Sequence, residues 1–110
     1  MAAFEIYVQQ GCVPDSLRPS LESAIRSACR TVLGPVSLPV NVAWTVIARG
    51  CGFRGGVPST TSLVRGRIPD GCDRETRARF LRTIGRDWCD QVGCAPDEVL
   101  VSARDWSWTG

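Results

Sequence analysis

With 110 residues, 22% of them charged, and a formal net charge of +2, the chain supports a single domain with one modest core and carries no field that points to a nucleic-acid partner. Its 13 cationic side chains are all arginines, which suit oriented recognition of carboxylate or phosphate better than they suit a solvated lysine surface. No apolar run approaches the roughly 20 residues of a membrane span, and Met1 is not followed by a basic and then apolar leader; the expectation is a soluble cytoplasmic protein with no membrane partner.

Ala2 to Gln10 alternates Phe4, Ile6 and Val8 with Glu5, Tyr7 and Gln9, the period of a strand, and ends in a turn at Gly11-Cys12. Pro14 and Asp15 open a helix in which Leu17, Leu21, Ala24, Ile25, Ala28 and Val32 share one face until Gly34-Pro35 stops it. Leu38, Val40, Val42, Trp44 and Val46 then predict a second strand running to about Ala48. Strand, helix and strand in one short unit imply a right-handed parallel crossover.

Residues 49 to 61 are glycine-rich and polar, and predict a connection with room for a short hairpin. The pattern then restarts. Ser62 to Ile68 reads as a strand, Pro69-Asp70-Gly71 as a turn, and Asp73 as the cap of a helix running to about Val92. An offset of sixty pairs Cys12 with Cys72, Leu21 with Leu81, Cys29 with Cys89 and Val32 with Val92, an internal repeat. A last strand, Val99 to Ala103, matches Leu38, Val40 and Val42 at an offset of sixty-one. The expected fold is α/β (α+β): two tandem β-α-β units, 1–56 and 60–110, form one domain with a four-stranded sheet and both helices on one face. The other face is left bare and partly apolar (Tyr7, Ala43, Ile47), which predicts a symmetric oligomer that covers it.

Without a leader toward an oxidising compartment, reduced thiols are expected, and because the six cysteines form no C-x-x-C pair and there is no histidine, no metal site is expected. Without histidine the commonest general base and every Ser-His triad are excluded. Proton transfer falls to Asp, Glu, Cys, Tyr or an amine.

The strand AAFEIYVQQG directly after Met1, the glycines of VIARGCGFRGG (Gly50, Gly55, Gly56), and the segments PDGCDRETRARFL and DEVLVSARD together resemble the tautomerase superfamily, with its 4-oxalocrotonate tautomerase, macrophage migration inhibitory factor and cis-3-chloroacrylic acid dehalogenase members. The likeness spans nearly the whole chain, and its layout is most similar to the fused dehalogenase-like group. It implies a homotrimer whose sheets enclose a barrel, with small pockets near each N-terminus, and cofactor-independent chemistry on 2-keto, enol or unsaturated carboxylates. The family's catalytic N-terminal proline is replaced by Ala2, and Cys12 and Asn41 stand where 4-oxalocrotonate tautomerase-like members carry substrate-binding arginines. Arg65 and Arg67 resemble the paired arginines of malonate semialdehyde decarboxylase-like members, and Asp105 falls where the dehalogenase group has a water-activating acid.

Each of these residues has two readings. Arg65 and Arg67 either hold a substrate carboxylate bidentately or are solvated charges paired with an acid. Asp105 is either a general base or a strand-end carboxylate paired with Arg104. Cys12 is either a nucleophile or proton donor activated by arginines, or a small adaptable side chain. Tyr7, Asn41, Phe53, Trp106 and Trp108 are the remaining substrate-binding candidates, with the two tryptophans forming either an apolar wall or a subunit contact. Met1 and Ala2 fill the N-terminal pocket. Two functions follow from the resemblance. One is a proline-independent isomerase, cyclase or hydratase acting on a small carbonyl or carboxylate compound, with a place in specialised metabolism. The other is a non-catalytic trimer that binds a small molecule or a protein. Convergence of Asp105 with Arg65 and Arg67 on one cavity favours the enzyme, and their pointing to solvent or to separate sides counts against it.

Overall fold

The structure is a computed structural model that describes residues 1–109. In β1 (Ala2–Gln9) the alternation places Ala2, Phe4, Ile6 and Val8 in the core, while Ala3, Glu5 and Tyr7 face away from it. The core is closed by α1 (Arg18–Ala28), which buries Leu21, Ile25 and Ala28, and α2 (Arg74–Val92), which buries Phe80, Ile84 and Trp88. Their spacing of three and four residues builds one apolar stripe per helix. Both stripes meet the same sheet face: Phe80 packs on Phe4 and Trp88 stacks on Trp44, each with ring centroids 6.1 Å apart.

Local sequence sets the helix ends. Asp73 Oδ1 accepts from the Thr76 backbone N–H at 2.8 Å, and Gly93, at φ 76°, takes the left-handed position that ends α2. The first helix starts with a short 3₁₀ turn, Asp15–Leu17, and widens into a π turn at Cys29–Leu33 before Gly34 stops it. Cys29 is fully buried there, and burial pushes its thiol up to about 11.

The other strands are β2 (Val40–Ile47), the hairpin pair β3 (Phe53–Arg54) and β4 (Val57–Pro58), β5 (Ser62–Ile68) and β6 (Val99–Asp105). The main sheet has the order β2-β1-β5-β6, with β1 parallel to β2, β5 parallel to β6, and β1 antiparallel to β5. The two β-α-β units therefore lie side by side, but the offset of sixty does not carry into the helices. Where α1 buries Leu21 and Ile25, α2 buries Phe80 and Ile84, and Leu81 and Cys89, matched in sequence to Leu21 and Cys29, are only partly buried. Ala2 pairs with Val40 and Ser62 with Val99, so the last strands correspond at an offset of fifty-nine instead of sixty-one. That slip of two residues keeps every side chain on its face. β6 also runs two residues further than expected, to Asp105.

Gly66 lies on the core side of β5, where a Cβ would strike the Phe4 ring, so only glycine lets Phe4 lie flat on this strand. No helix among the described residues is long and apolar enough to cross a membrane.

Candidate functional site

The uncovered sheet face carries the groups of chemical interest, because strand register aligns them in rungs. Arg65 stands between Glu5 on β1 and Ser102 on β6, and Arg67 between Ala3 and Arg104. Together with Trp108 these residues line a cleft of about 490 Å³. The guanidinium of Arg104 lies 5.0 Å from the Trp108 ring centroid, and that of Arg67 lies 6.0 Å from Trp106. Stacking on indole orients a guanidinium plane and leaves its N–H groups free for a ligand. Among the described residues, none of Arg65, Arg67 and Arg104 forms an ion pair; the pairs present are Arg18–Asp15, Arg26–Glu22 and Arg77–Asp105.

Glu5, the carboxylate in this cleft, engages a different partner. Its Oε2 accepts from the Tyr7 hydroxyl at 2.6 Å. This hydrogen bond, some burial and the Glu5 charge raise the Tyr7 pKa above its ordinary value, with Arg65 pulling the other way. Tyr7 also borders a second, more apolar cleft of about 270 Å³ with Ile47, Phe53, Leu63 and Leu100.

The C-terminal turn is pinned to the sheet. Asp70 accepts from the Ser107 backbone N–H at 3.1 Å and from its hydroxyl, which lowers the Asp70 pKa. The turn holds Trp106 and Trp108 beside the arginines.

No family model matches the chain, and no curated protein does. Solved structures do match. The fold superposes on native Ps01740 with a TM-score of 0.86 and 26% identity, covering 94% of this chain and 92% of that one. It superposes on the Q0 fused 4-OT wild-type symmetric trimer with a TM-score of 0.81 and 20% identity, covering 94% and 84%. N1, a member of the cis-3-chloroacrylic acid dehalogenase family, gives a TM-score of 0.83 and 15% identity over 94% and 73%. The chain has the tautomerase fold.

Within this tautomerase fold the predicted site residues do not all meet. Arg65, Arg67 and Trp108 line one cleft, with Trp106 stacked beside it. Asn41 lies exposed on the same face, opposite Ala3. Phe53 and Tyr7 belong to the neighbouring apolar cleft.

Asp105 does not join them. It pairs with Ile68, a core residue, so strand alternation turns it toward α2, where it forms an ion pair with Arg77. Its partner is thus neither Arg104 nor a substrate-binding arginine. Cys12 lies in the turn past the far end of β1, about 20 Å along the strand from Ala3, and is not among the cleft residues. The N-terminal pair is also elsewhere: Ala2 is fully buried in the core, its N–H bonded to Pro39 O at 3.1 Å, and the Met1 amine donates to Val36 O at 2.7 Å.

Sequence reasoning overlooked Glu5 and Arg104. The alternation of β1 already separates Glu5 from the core. The meeting of Arg104 with Arg67, however, depends on a strand register that no local pattern encodes.

Proposed function

We propose that this is a tautomerase-fold protein that binds a small carboxylate compound on the uncovered sheet face and acts on it by proton transfer, without an N-terminal proline. The observation that carries the reading is the convergence of Arg65, Arg67 and Arg104, unpaired among the described residues, on one cleft. A bidentate guanidinium–carboxylate pair fixes a substrate's orientation, and further cationic donors stabilise the oxyanion that forms when a carbon acid loses its proton. No cofactor is required for such a step. In this reading the chain self-associates as a homotrimer within the cytoplasm, as the fused 4-OT neighbours form trimers. The apolar part of the same face, with Leu63, Ile47 and the 41% exposed Leu100, supplies a reason to do so.

The turning of Asp105 away from the arginines removes the general base expected from the sequence and supports a second reading, a trimer that binds a carboxylate compound and does no chemistry. Two measurements test both. Titration with phenylpyruvate is expected to show binding that Arg65→Gln or Arg67→Gln weakens about tenfold or more; no binding by the unaltered protein would overturn the site. Ketonisation of enolised phenylpyruvate above the buffer rate would support the enzyme, and binding without ketonisation would leave the binding protein.

A further inference from the structure

We infer that Glu5, which lines the arginine cleft, and Tyr7, whose hydroxyl reaches Glu5 from the neighbouring apolar cleft, form the proton-carrying pair that acts on a carboxylate compound held by the arginines. The inference rests on the carboxylate-binding reading above. Glu5 lies directly opposite Arg65, yet its Oε2 bonds the Tyr7 hydroxyl at 2.6 Å instead of forming an ion pair with that guanidinium. A carboxylate that merely balanced charge in a cleft with three guanidiniums would sit on one of them. Held by Tyr7, it leaves the arginines free for a ligand. The ionisable groups facing the pair are Arg65 and Arg67 from β5 and Arg104 from β6; β2 contributes Asn41, Ala43 and Thr45, none of which titrates.

Arginine holds the substrate carboxylate. With phenylpyruvate as the probe, the Glu5 carboxylate takes a proton from C3, forming its own O–H bond as the C3–H bond breaks, and the electron pair moves through C2 to the carbonyl oxygen. The Tyr7 hydroxyl protonates that oxygen, giving the enol, and the resulting phenolate recovers a proton from Glu5 along their hydrogen bond. Both side chains end as they began, and the net change is keto to enol. A tyrosine whose pKa is raised stays protonated at neutral pH, as a donor must.

The test is exchange of the C3 protons of phenylpyruvate in deuterium oxide, followed by NMR beside the affinity for the same compound. Glu5→Gln is expected to slow protein-dependent exchange about 100-fold or more and Tyr7→Phe about tenfold, with both affinities within about threefold of the parent. Glu5→Asp should restore part of the rate. Full exchange in Glu5→Gln would overturn the pair while leaving the carboxylate site standing. So would binding by the parent without any exchange. Failure of the parent to bind would instead remove the site itself, and the pair with it.

Discussion

Glu5 and Arg65 stand face to face on β1 and β5, on the one side of the sheet that neither helix covers, and they do not form an ion pair. The Glu5 carboxylate is held by Tyr7. That choice of partner separates the anionic and cationic halves of the cleft, and it can be measured directly because Tyr7 is the only tyrosine of the chain.

A spectroscopic pH titration should place tyrosinate formation above the usual value of about 10. Glu5→Gln should bring it down toward that value, since the first cause of the shift is the hydrogen bond to Glu5. A folded-state pKa above the unfolded one means that the folded chain holds the proton more tightly. The associated stability is therefore fully present below about pH 10 and is lost as pH rises through the folded value. A midpoint unchanged by Glu5→Gln would contradict the contact.

At the acid end the sign reverses. Asp70, bonded to Ser107, and Asp73, bonded to Thr76, have lowered pKa values. Their contributions are present at neutral pH, above the ordinary carboxylate range, and fade as pH falls through the lowered folded-state values. Denaturant midpoints measured against pH should fall in acid, and less steeply in Asp73→Ala than in the parent. Equal slopes would show that the cap carries none of the effect.

Asp105 provides a contrast between structure and chemistry. Asp105→Asn should cost about 0.2–1 kcal/mol of stability, the range of a partly exposed ion pair, and leave phenylpyruvate affinity unchanged. Arg77→Ala should cost more, because its guanidinium also donates to Ala103 O at 3.0 Å. A tenfold loss of affinity in Asp105→Asn would return that residue to the site.

Gly66→Ala should destabilise the chain by about 1–3 kcal/mol, because the added methyl meets the Phe4 ring in a filled core. Thermal unfolding reads this, and an unchanged melting temperature would mean that the ring has room to move.

The thiols should differ in reactivity. Cys51 is exposed, Cys29 is buried with its pKa near 11, and burial together with the Cys89 thiol 3.6 Å away pushes Cys94 up to about 11. Since the thiolate is the reacting form, alkylation at neutral pH should label Cys51 well before Cys29 or Cys94. Mass mapping of a timed reaction decides this.

Residues such as Phe4, Ile6, Leu21, Ile25 and Asp73 made the fold legible in sequence, because period and capping are local properties. Ser62–Ile68 and Arg74–Val92 fall where the pattern predicts them. The site was legible only in part. Arg65 and Arg67 share a face by simple alternation, whereas the expectation for Asp105 stopped β6 at Ala103 and so did not count which face the next residues take. The rungs Glu5–Arg65–Ser102 and Ala3–Arg67–Arg104 depend on pairing between strands far apart in the chain, which tertiary packing decides.

The most direct measurement is a map of amide and side-chain NMR shifts on titration with phenylpyruvate. Changes should concentrate at Ala3, Glu5, Arg65, Arg67, Arg104 and the Trp108 indole, and spare Cys12 and Asp105. Changes centred on Met1, Ala2 or Cys12, with the arginines silent, would contradict a carboxylate site on the uncovered sheet face.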